Sequence, residues 1–96
     1  PALRLNGAGA GPVSPEWMIP KALWIRRHQP DLWAQAAMVG EYQDFLTLRL
    51  TGRWTGSLNN ATMRWHYQTG QGGWPDSLLA RLDLADLRAR WPAELV

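Results

Sequence analysis

The hydrophobic and polar positions first show a helical pattern in the stretch SPEWMIPKALWIRRH. Its opening, Ser-Pro-Glu at 14–16, is a helix-start signal, because serine caps free N–H groups, proline fits the first helical position and an acid suits the positive end of the helix dipole. A helix is therefore predicted from Pro15. Pro20 would lie inside that helix and remove a backbone hydrogen bond, so we expect a bend between a front piece, residues 16–18, and a longer helix over 21–28. The bend would suit the wall of a cleft, and it would equally suit a packing kink.

Two further helices are indicated in the middle of the chain. Pro30 and Asp31 end one helix and cap a short second one. The segment GEYQDFLTLRLTG predicts a longer helix, with acids early, an arginine late and Gly52 as the residue that can adopt a positive φ after the last turn. The apolar stripe of this longer helix comprises Tyr42, Phe45, Leu46 and Leu50.

One strand and two helices are predicted in the second half of the chain. The polar stretch TGSLNNAT favours a loop or a single helical turn. The next segment, TMRWHY, alternates as a half-buried strand does, with one face formed by Met63, Trp65 and Tyr67. The Pro-Asp pair at 75–76 then opens an amphipathic helix, and a short helix over DLADLRARW ends the pattern.

A lone strand has no ladder partner, so its backbone N–H and C=O groups would be unpaired. We therefore expect the partner strands to lie in sequence outside this chain or in a second copy of it. Residues 1–13 are rich in glycine, alanine and proline, which predicts an irregular loop. The predicted fold class is mainly α with one or two short strands, and the chain is expected to be a piece of a longer protein.

Composition narrows the class of protein and its partners. With 46% hydrophobic and 19% charged residues the chain is expected to be globular. The absence of cysteine indicates a reducing compartment, hence a cytoplasmic location, and no apolar run approaches the ~18 residues of a membrane span, so no membrane partner is expected. The formal net charge is only +2, and several arginines lie four residues from an acid, as on a solvated helix face. We expect no nucleic-acid partner, while a homo-oligomer stays open.

Candidate catalytic chemistry is sparse at the level of residue types. No spacing of histidine, aspartate and glutamate suits a metal ion, and GAGAG lacks the preceding strand of a phosphate-binding loop. Ser57 has no neighbouring base. We therefore assign no metal ligand and no catalytic residue within this segment.

Three stretches nevertheless occur in a characteristic order, namely SPEWMIPKALWIRRHQPDLW, EYQDFLTLRLTGRWTGSLNNATMRWHY and GGWPDSLLARLDL. In order and spacing, over residues 13–96, they resemble the central part of the N-terminal domain of the FGGY family of carbohydrate kinases, and the ribulokinase-like branch fits best. The family signature is a lysine and a tryptophan three residues apart after a proline, which PKALW reproduces with Lys21 and Trp24. Many members have a bulky aliphatic residue after the lysine, where this chain has Ala22.

The resemblance implies that residues 1–96 are a partial N-terminal, sugar-binding domain of an ATP-dependent kinase with an α/β, ribonuclease-H-like (actin-like ATPase) fold. Such a kinase transfers the γ-phosphate of ATP to a hydroxyl of a ketose or polyol of the ribulose or xylulose type, with Mg²⁺ on the phosphates and a carboxylate base at the attacking hydroxyl. The partners implied are the sugar and the remaining domains of the parent kinase. The resemblance places the base downstream of Val96 and ATP and Mg²⁺ outside this segment, so the segment alone is expected to be inactive.

The resemblance also implies which residues contact the sugar. Relatives bring a polar or aromatic residue to the substrate from the corner that holds Glu16 and Trp17. Ribulokinase-like members offer a lysine followed by an aromatic residue from the strand after the polar turn, and Arg64 stands at that position. Other members place an aspartate in the polar turn at the position of Ser57, whose hydroxyl could not act as the base. Glu16 could instead serve the helix N-terminus, and Arg64 could be an exposed charge on the strand.

A second class of function stays open from the sequence alone. The chain could be a small Trp-rich helical module that binds a protein or nucleic-acid partner through its aromatic faces, because large exposed aromatic patches often mark interaction sites.

Overall fold

The computed structural model describes residues 11–96, apart from the side chain of Gln71. Six α-helices, one 3-10 helix (Thr69–Gln71) and two very short strands occur in this part of the chain, which confirms a mainly α fold with short strands. The helices are α1 (Met18–His28), α2 (Pro30–Gln35), α3 (Tyr42–Thr51), α4 (Leu58–Arg64), α5 (Asp76–Arg81) and α6 (Leu87–Arg90). The strands are β1 (Thr55–Gly56) and β2 (Glu94–Leu95). Most of the loop predicted over residues 1–13 lies outside the described residues.

The expected bend at Pro20 is wrong. Helix α1 begins at Met18, with Trp17 as its N-cap, so Pro20 is the third residue of the first turn. A proline there breaks no helical bond, because the first N–H groups of a helix have no intrahelical partner. The first such bond runs from the Lys21 amide to the Trp17 carbonyl, at 3.3 Å. Ser14 and Pro15 form a separate turn before the helix instead of its first residues.

The strand predicted over TMRWHY is also wrong. The first half of this segment, residues 62–64, belongs to α4, whose N-cap Ser57 accepts a hydrogen bond from the Asn60 amide at 3.2 Å. Where the sequence predicted a loop or a single helical turn, the structure has a helix of seven residues that ends at Arg64. Trp65 ends the helix, and His66 follows in a left-handed conformation with a φ of 63°. The Ser57 cap favours a helix here and competes with the alternating pattern, which favours a strand.

The two strands pair with each other, in parallel, within this chain. Thr55 lies opposite Glu94 and Gly56 opposite Leu95, and the ladder continues from the Val96 amide to the Gly56 carbonyl at 2.9 Å. The expectation that a strand here would need a partner from outside the chain is therefore wrong for this pairing. Gly56 has no room for a side chain, because a Cβ would lie 2.9 Å from Leu95.

The remaining helices lie close to the positions that the sequence predicted. Helix α2 starts at Pro30, and α3 starts at Tyr42 and ends at Gly52, whose φ of 75° is the predicted left-handed conformation. The predicted last helices are confirmed in α5 and in the shorter α6, which ends at Trp91.

An aromatic stack forms one part of the core. The Trp65 and Trp91 rings are stacked at 5.2 Å between centroids, Trp74 continues the stack at 5.7 Å from Trp91, and Tyr67 meets Trp74 edge-on at 5.1 Å. The Arg88 guanidinium covers the outer face of Trp74 at 3.8 Å from the ring centroid. These tryptophans therefore hold α4, α6 and the chain between them together.

The apolar stripe predicted on α3 exists, but it faces outward. The exposed fraction is 75% for Tyr42, 51% for Phe45 and 84% for Leu50, while the one buried side chain on this helix is Asp44. None of the helices within residues 11–96 is long and apolar enough to cross a membrane.

Candidate functional site

A cleft of about 430 Å³ opens between α1, α2 and the loop that leads into α3. Three charged side chains line it, from three different elements: Lys21 on α1, Glu41 at the start of α3, and Arg64 at the end of α4. The rest of the lining is apolar or glycine, contributed by Met18, Ala22, Ile25, Leu32, Trp33, Ala36, Val39 and Gly40. An apolar wall with a few convergent polar groups is typical of a small-molecule site.

Trp33 in the apolar wall is held firmly from behind. Its indole Nε1 donates to Asp86 Oδ2 at 2.7 Å, and the Arg90 guanidinium lies 5.0 Å from the centroid of its ring. Burial acts to raise the pKa of Asp86, but the Trp33 hydrogen bond and the charges of Arg26 and Arg90 outweigh it and lower that pKa. The carboxylate is therefore ionised and keeps the indole in one orientation.

Arg64 joins α4 to the segment before α1 and to the start of α3. Its Nη2 donates to the Glu16 backbone carbonyl at 2.8 Å, and its Nη1 lies 3.6 Å from Glu41 Oε2. The guanidinium has five N–H donors, so these contacts leave further donors for a ligand at the cleft. Arg64 lies on a helix instead of the predicted strand, and it is half-buried instead of exposed.

Glu41 is fixed from several directions. Its Oε1 accepts a hydrogen bond from the Trp65 indole at 3.1 Å, and its backbone N–H donates to Asp44 Oδ2 at 2.8 Å. Asp44 is 1% exposed, and its other oxygen accepts from the Ser57 amide at 3.1 Å. Burial raises the pKa of Asp44, although the two backbone N–H groups act against that rise. Asp44 thus connects the start of α3 to the start of α4, and Ser57 serves as a helix cap.

Glu16 and Trp17 lie beside the cleft and not in its lining. Glu16 precedes the helix, so its predicted role as an acid in the first turn is wrong; its carboxylate is exposed and lies 3.4 Å from Lys21 Nζ. Trp17 meets the ring of His66 edge-on, with 5.6 Å between centroids. His66 is 5% exposed, and desolvation lowers its pKa to about 4.

The structure therefore brings the three predicted sugar-contacting residues into one neighbourhood, because Arg64 bonds to Glu16 and His66, two residues after Arg64, contacts Trp17. Sequence analysis missed Glu41 and His66. The available signal for Glu41 was its position three residues before Asp44, at the start of a predicted helix. Acidic side chains at N-cap positions are often fixed by hydrogen bonds to the first turn of the helix. No sequence signal separates His66 from an exposed histidine.

Comparison with known proteins identifies the family. Residues 8–89 match the FGGY family of carbohydrate kinases, N-terminal domain. The chain belongs to the FGGY family of carbohydrate kinases. This family membership implies that the FGGY segment is part of an actin-like ATPase fold.

Several relatives support the match. The chain is 36% identical to an FGGY carbohydrate kinase domain-containing protein of Danio rerio over 78 residues, which cover 80% of this chain and 14% of the relative. It is 32% identical over 81 residues to xylulose kinase of Escherichia coli (strain K12), covering 84% of this chain and 16% of the relative. For xylulose kinase of Klebsiella pneumoniae the identity is 31% over 73 residues, covering 76% and 15%. The chain thus spans less than a fifth of the length of these relatives.

The kinases of this family generally use ATP and Mg²⁺. Within the described part of the FGGY segment, no three His, Asp or Glu side chains lie close enough together to hold a metal ion. No step of phosphoryl transfer is assigned to these residues.

Proposed function

We propose that this FGGY segment is part of the N-terminal, sugar-binding domain of an ATP-dependent kinase that phosphorylates a ketose or polyol of the ribulose or xylulose type. The family match over residues 8–89 carries the proposal, and two of the relatives are named xylulose kinases. The finer assignment to the ribulokinase-like branch rests on Arg64 followed by Trp65, at the position where that branch has a lysine followed by an aromatic residue. A cytoplasmic location belongs to the same proposal.

The segment would contribute binding and not chemistry. A sugar presents hydroxyl groups around a ring or chain of C–H groups, and carboxylates and guanidinium groups form charge-assisted hydrogen bonds with such hydroxyls. Glu16, Trp17 and Arg64 are the proposed contacts, since the hydrogen bond between Arg64 and the Glu16 carbonyl places two of them side by side. The base, ATP and Mg²⁺ would be supplied by the rest of the parent protein.

The test of the proposed function is a phosphorylation assay on the full-length protein that contains this segment. ADP release is measured with Mg·ATP and a panel of D-xylulose, D- and L-ribulose, ribitol and glycerol. We expect turnover with at least one pentulose or polyol, and a preference for ribulose over xylulose if the ribulokinase-like assignment is right. The 96-residue chain assayed alone is expected to show no turnover. Full-length protein that phosphorylates none of these compounds would contradict the proposal.

Glu16→Gln tests the proposed sugar contact. In the full-length enzyme we expect the sugar KM to rise, or kcat/KM to fall, by tenfold or more, while the KM for ATP stays nearly unchanged. The reason is that a carboxylate accepts from two hydroxyls where an amide has only one acceptor oxygen. Glu94→Gln, which removes an exposed acid paired with Arg53, is the control for the loss of one charge. If sugar kinetics stay at the wild-type level, Glu16 acts only as the ion-pair partner of Lys21.

One observation favours a second candidate function, an interaction module. Helix α3 exposes Tyr42, Phe45 and Leu50, and a large exposed apolar face is typical of a protein contact. Within the kinase proposal the same face would contact the remaining domains of the parent. The two proposals differ in the full-length protein, and Leu50→Cys tests the difference. In an interaction module this cysteine would react with a thiol-labelling reagent, whereas in the kinase the remaining domains would cover it.

A further inference from the structure

We propose that Glu41 is a positioning residue, which holds Arg64 in the orientation needed to contact the sugar. This inference rests on the proposed function and deepens it, because it concerns the same site. It adds an acid that contacts no substrate in the proposal and acts only through the guanidinium group.

The geometry between the two side chains carries the inference. Glu41 Oε2 lies 3.6 Å from Arg64 Nη1, while the other terminal nitrogen, Nη2, donates to the Glu16 carbonyl at 2.8 Å. The guanidinium is planar and rigid, so two contacts on different nitrogens define its orientation. Arg64 would otherwise have several rotatable bonds and a choice of conformations.

Glu41 is itself held more firmly than an ordinary surface acid. Its side chain is 19% exposed, its Oε1 accepts from the Trp65 indole, and Trp65 is completely buried in the aromatic stack. Its backbone is fixed by the buried Asp44 carboxylate at the start of α3. By contrast, the Arg53–Glu94 pair has the shorter distance of 2.8 Å but joins two side chains that are more than half exposed. A contact between partly buried groups restricts motion more than an exposed pair does.

Glu41→Gln separates the charge of Glu41 from its shape. A glutamine keeps an oxygen that accepts from the Trp65 indole, but it loses the negative charge that attracts Arg64. In the full-length enzyme we expect a rise of about tenfold in the sugar KM, with the KM for ATP within twofold of wild type. A merely structural role would lower the melting temperature and leave the sugar KM unchanged. Glu94→Gln is the matched control and is expected to leave both constants unchanged.

A double-mutant cycle tests whether Glu41 acts through Arg64. We expect Arg64→Gln to raise the sugar KM, and Glu41→Gln to have no further effect in that background. If the double variant raises the sugar KM by the product of the two single effects, Glu41 and Arg64 act independently and the inference is overturned. If Glu41→Gln gives too little folded protein, Glu41→Asp takes its place, since it keeps the charge but withdraws it from Arg64; we expect a smaller rise in the sugar KM.

The outcomes distinguish this inference from the proposed function. Wild-type enzyme that phosphorylates a ketose or polyol, together with a Glu41 variant that has wild-type sugar kinetics, overturns the role of Glu41 and leaves the function standing. Wild-type enzyme that phosphorylates none of the compounds overturns both.

Discussion

His66 combines a buried side chain with a backbone conformation that favours glycine. Its φ is 63°, it is 5% exposed, and its Nδ1 has no hydrogen-bond partner among residues 11–96. Histidine is more common in the left-handed region than bulky or β-branched residues, but the conformation still costs free energy. Because desolvation disfavours the charged imidazolium, the pKa of His66 is lowered to about 4, and the ring is neutral near pH 7.

This lowered pKa predicts a loss of stability in acid. Between about pH 6.5 and 4 the unfolded chain binds a proton at this site and the folded chain does not, so the free energy of unfolding falls as the pH falls. The gap in pKa corresponds to at most about 3.5 kcal/mol. Urea unfolding of wild type and His66→Asn at pH 7, 6, 5 and 4 measures it, since asparagine tolerates the same backbone without titrating.

His28→Asn is the control for this prediction, because His28 is an exposed histidine at the end of α1. We expect it to keep the pH dependence of wild type, whereas His66→Asn flattens the curve over this range. Equal slopes for all three proteins would show that His66 is not the group responsible.

At the scale of single elements, helix ends determine where the chain changes direction. Gly52 ends α3 with a φ of 75°, and its amide donates to the Leu48 carbonyl at 2.8 Å. A Cβ built at this glycine would meet no atom within 4 Å. Any cost of a side chain at this position therefore comes from the backbone conformation alone.

Gly52→Ala is expected to destabilise the chain by about 1–2 kcal/mol, the cost of a left-handed conformation for a residue with a Cβ. Gly70→Ala is the matched control, because a Cβ there also meets nothing and φ is not in the left-handed range. We expect it to be neutral or to stabilise by about 0.4–1 kcal/mol through the unfolded state. Chemical unfolding of both variants checks the contrast, and a similar loss in both would contradict it.

At the scale of the whole molecule, one side of the segment is well packed and another is not. The core joins α1, α2, α4, α5 and α6 through buried apolar side chains and the aromatic stack, and β2 returns to pair with β1. Helix α3 is attached at its start by Asp44, while its apolar stripe faces outward. The apolar area that this stripe could bury does not contribute to the stability of the segment.

The isolated 96-residue chain is therefore expected to be marginally stable, with a free energy of unfolding below about 5 kcal/mol. Urea unfolding followed by far-ultraviolet circular dichroism, with the oligomeric state checked by sedimentation, measures this quantity. A monomer with a cooperative thermal transition at a high midpoint would contradict this prediction. It would show that the segment is stable although the apolar stripe of α3 is exposed.

Local signals in the sequence predicted the elements whose ends are set by single residues. The starts of α2 and α5 and the left-handed Gly52 follow from proline, aspartate and glycine chemistry that acts within one or two turns. The motif order also identified the FGGY family.

Tertiary structure alone decided the rest. Whether TMRWHY became a strand depended on the competition between its alternating pattern and the Ser57 cap, and packing of Trp65 on Trp91 settles it in favour of α4. Two further features join residues that are far apart in the chain: the pairing of β1 with β2, and the contacts of Glu41 with Trp65 and Arg64. The burial of His66 depends on which parts of the chain cover it. Such contacts leave no periodicity, because sequence periodicity records which face of an element is apolar and not which partner that face meets.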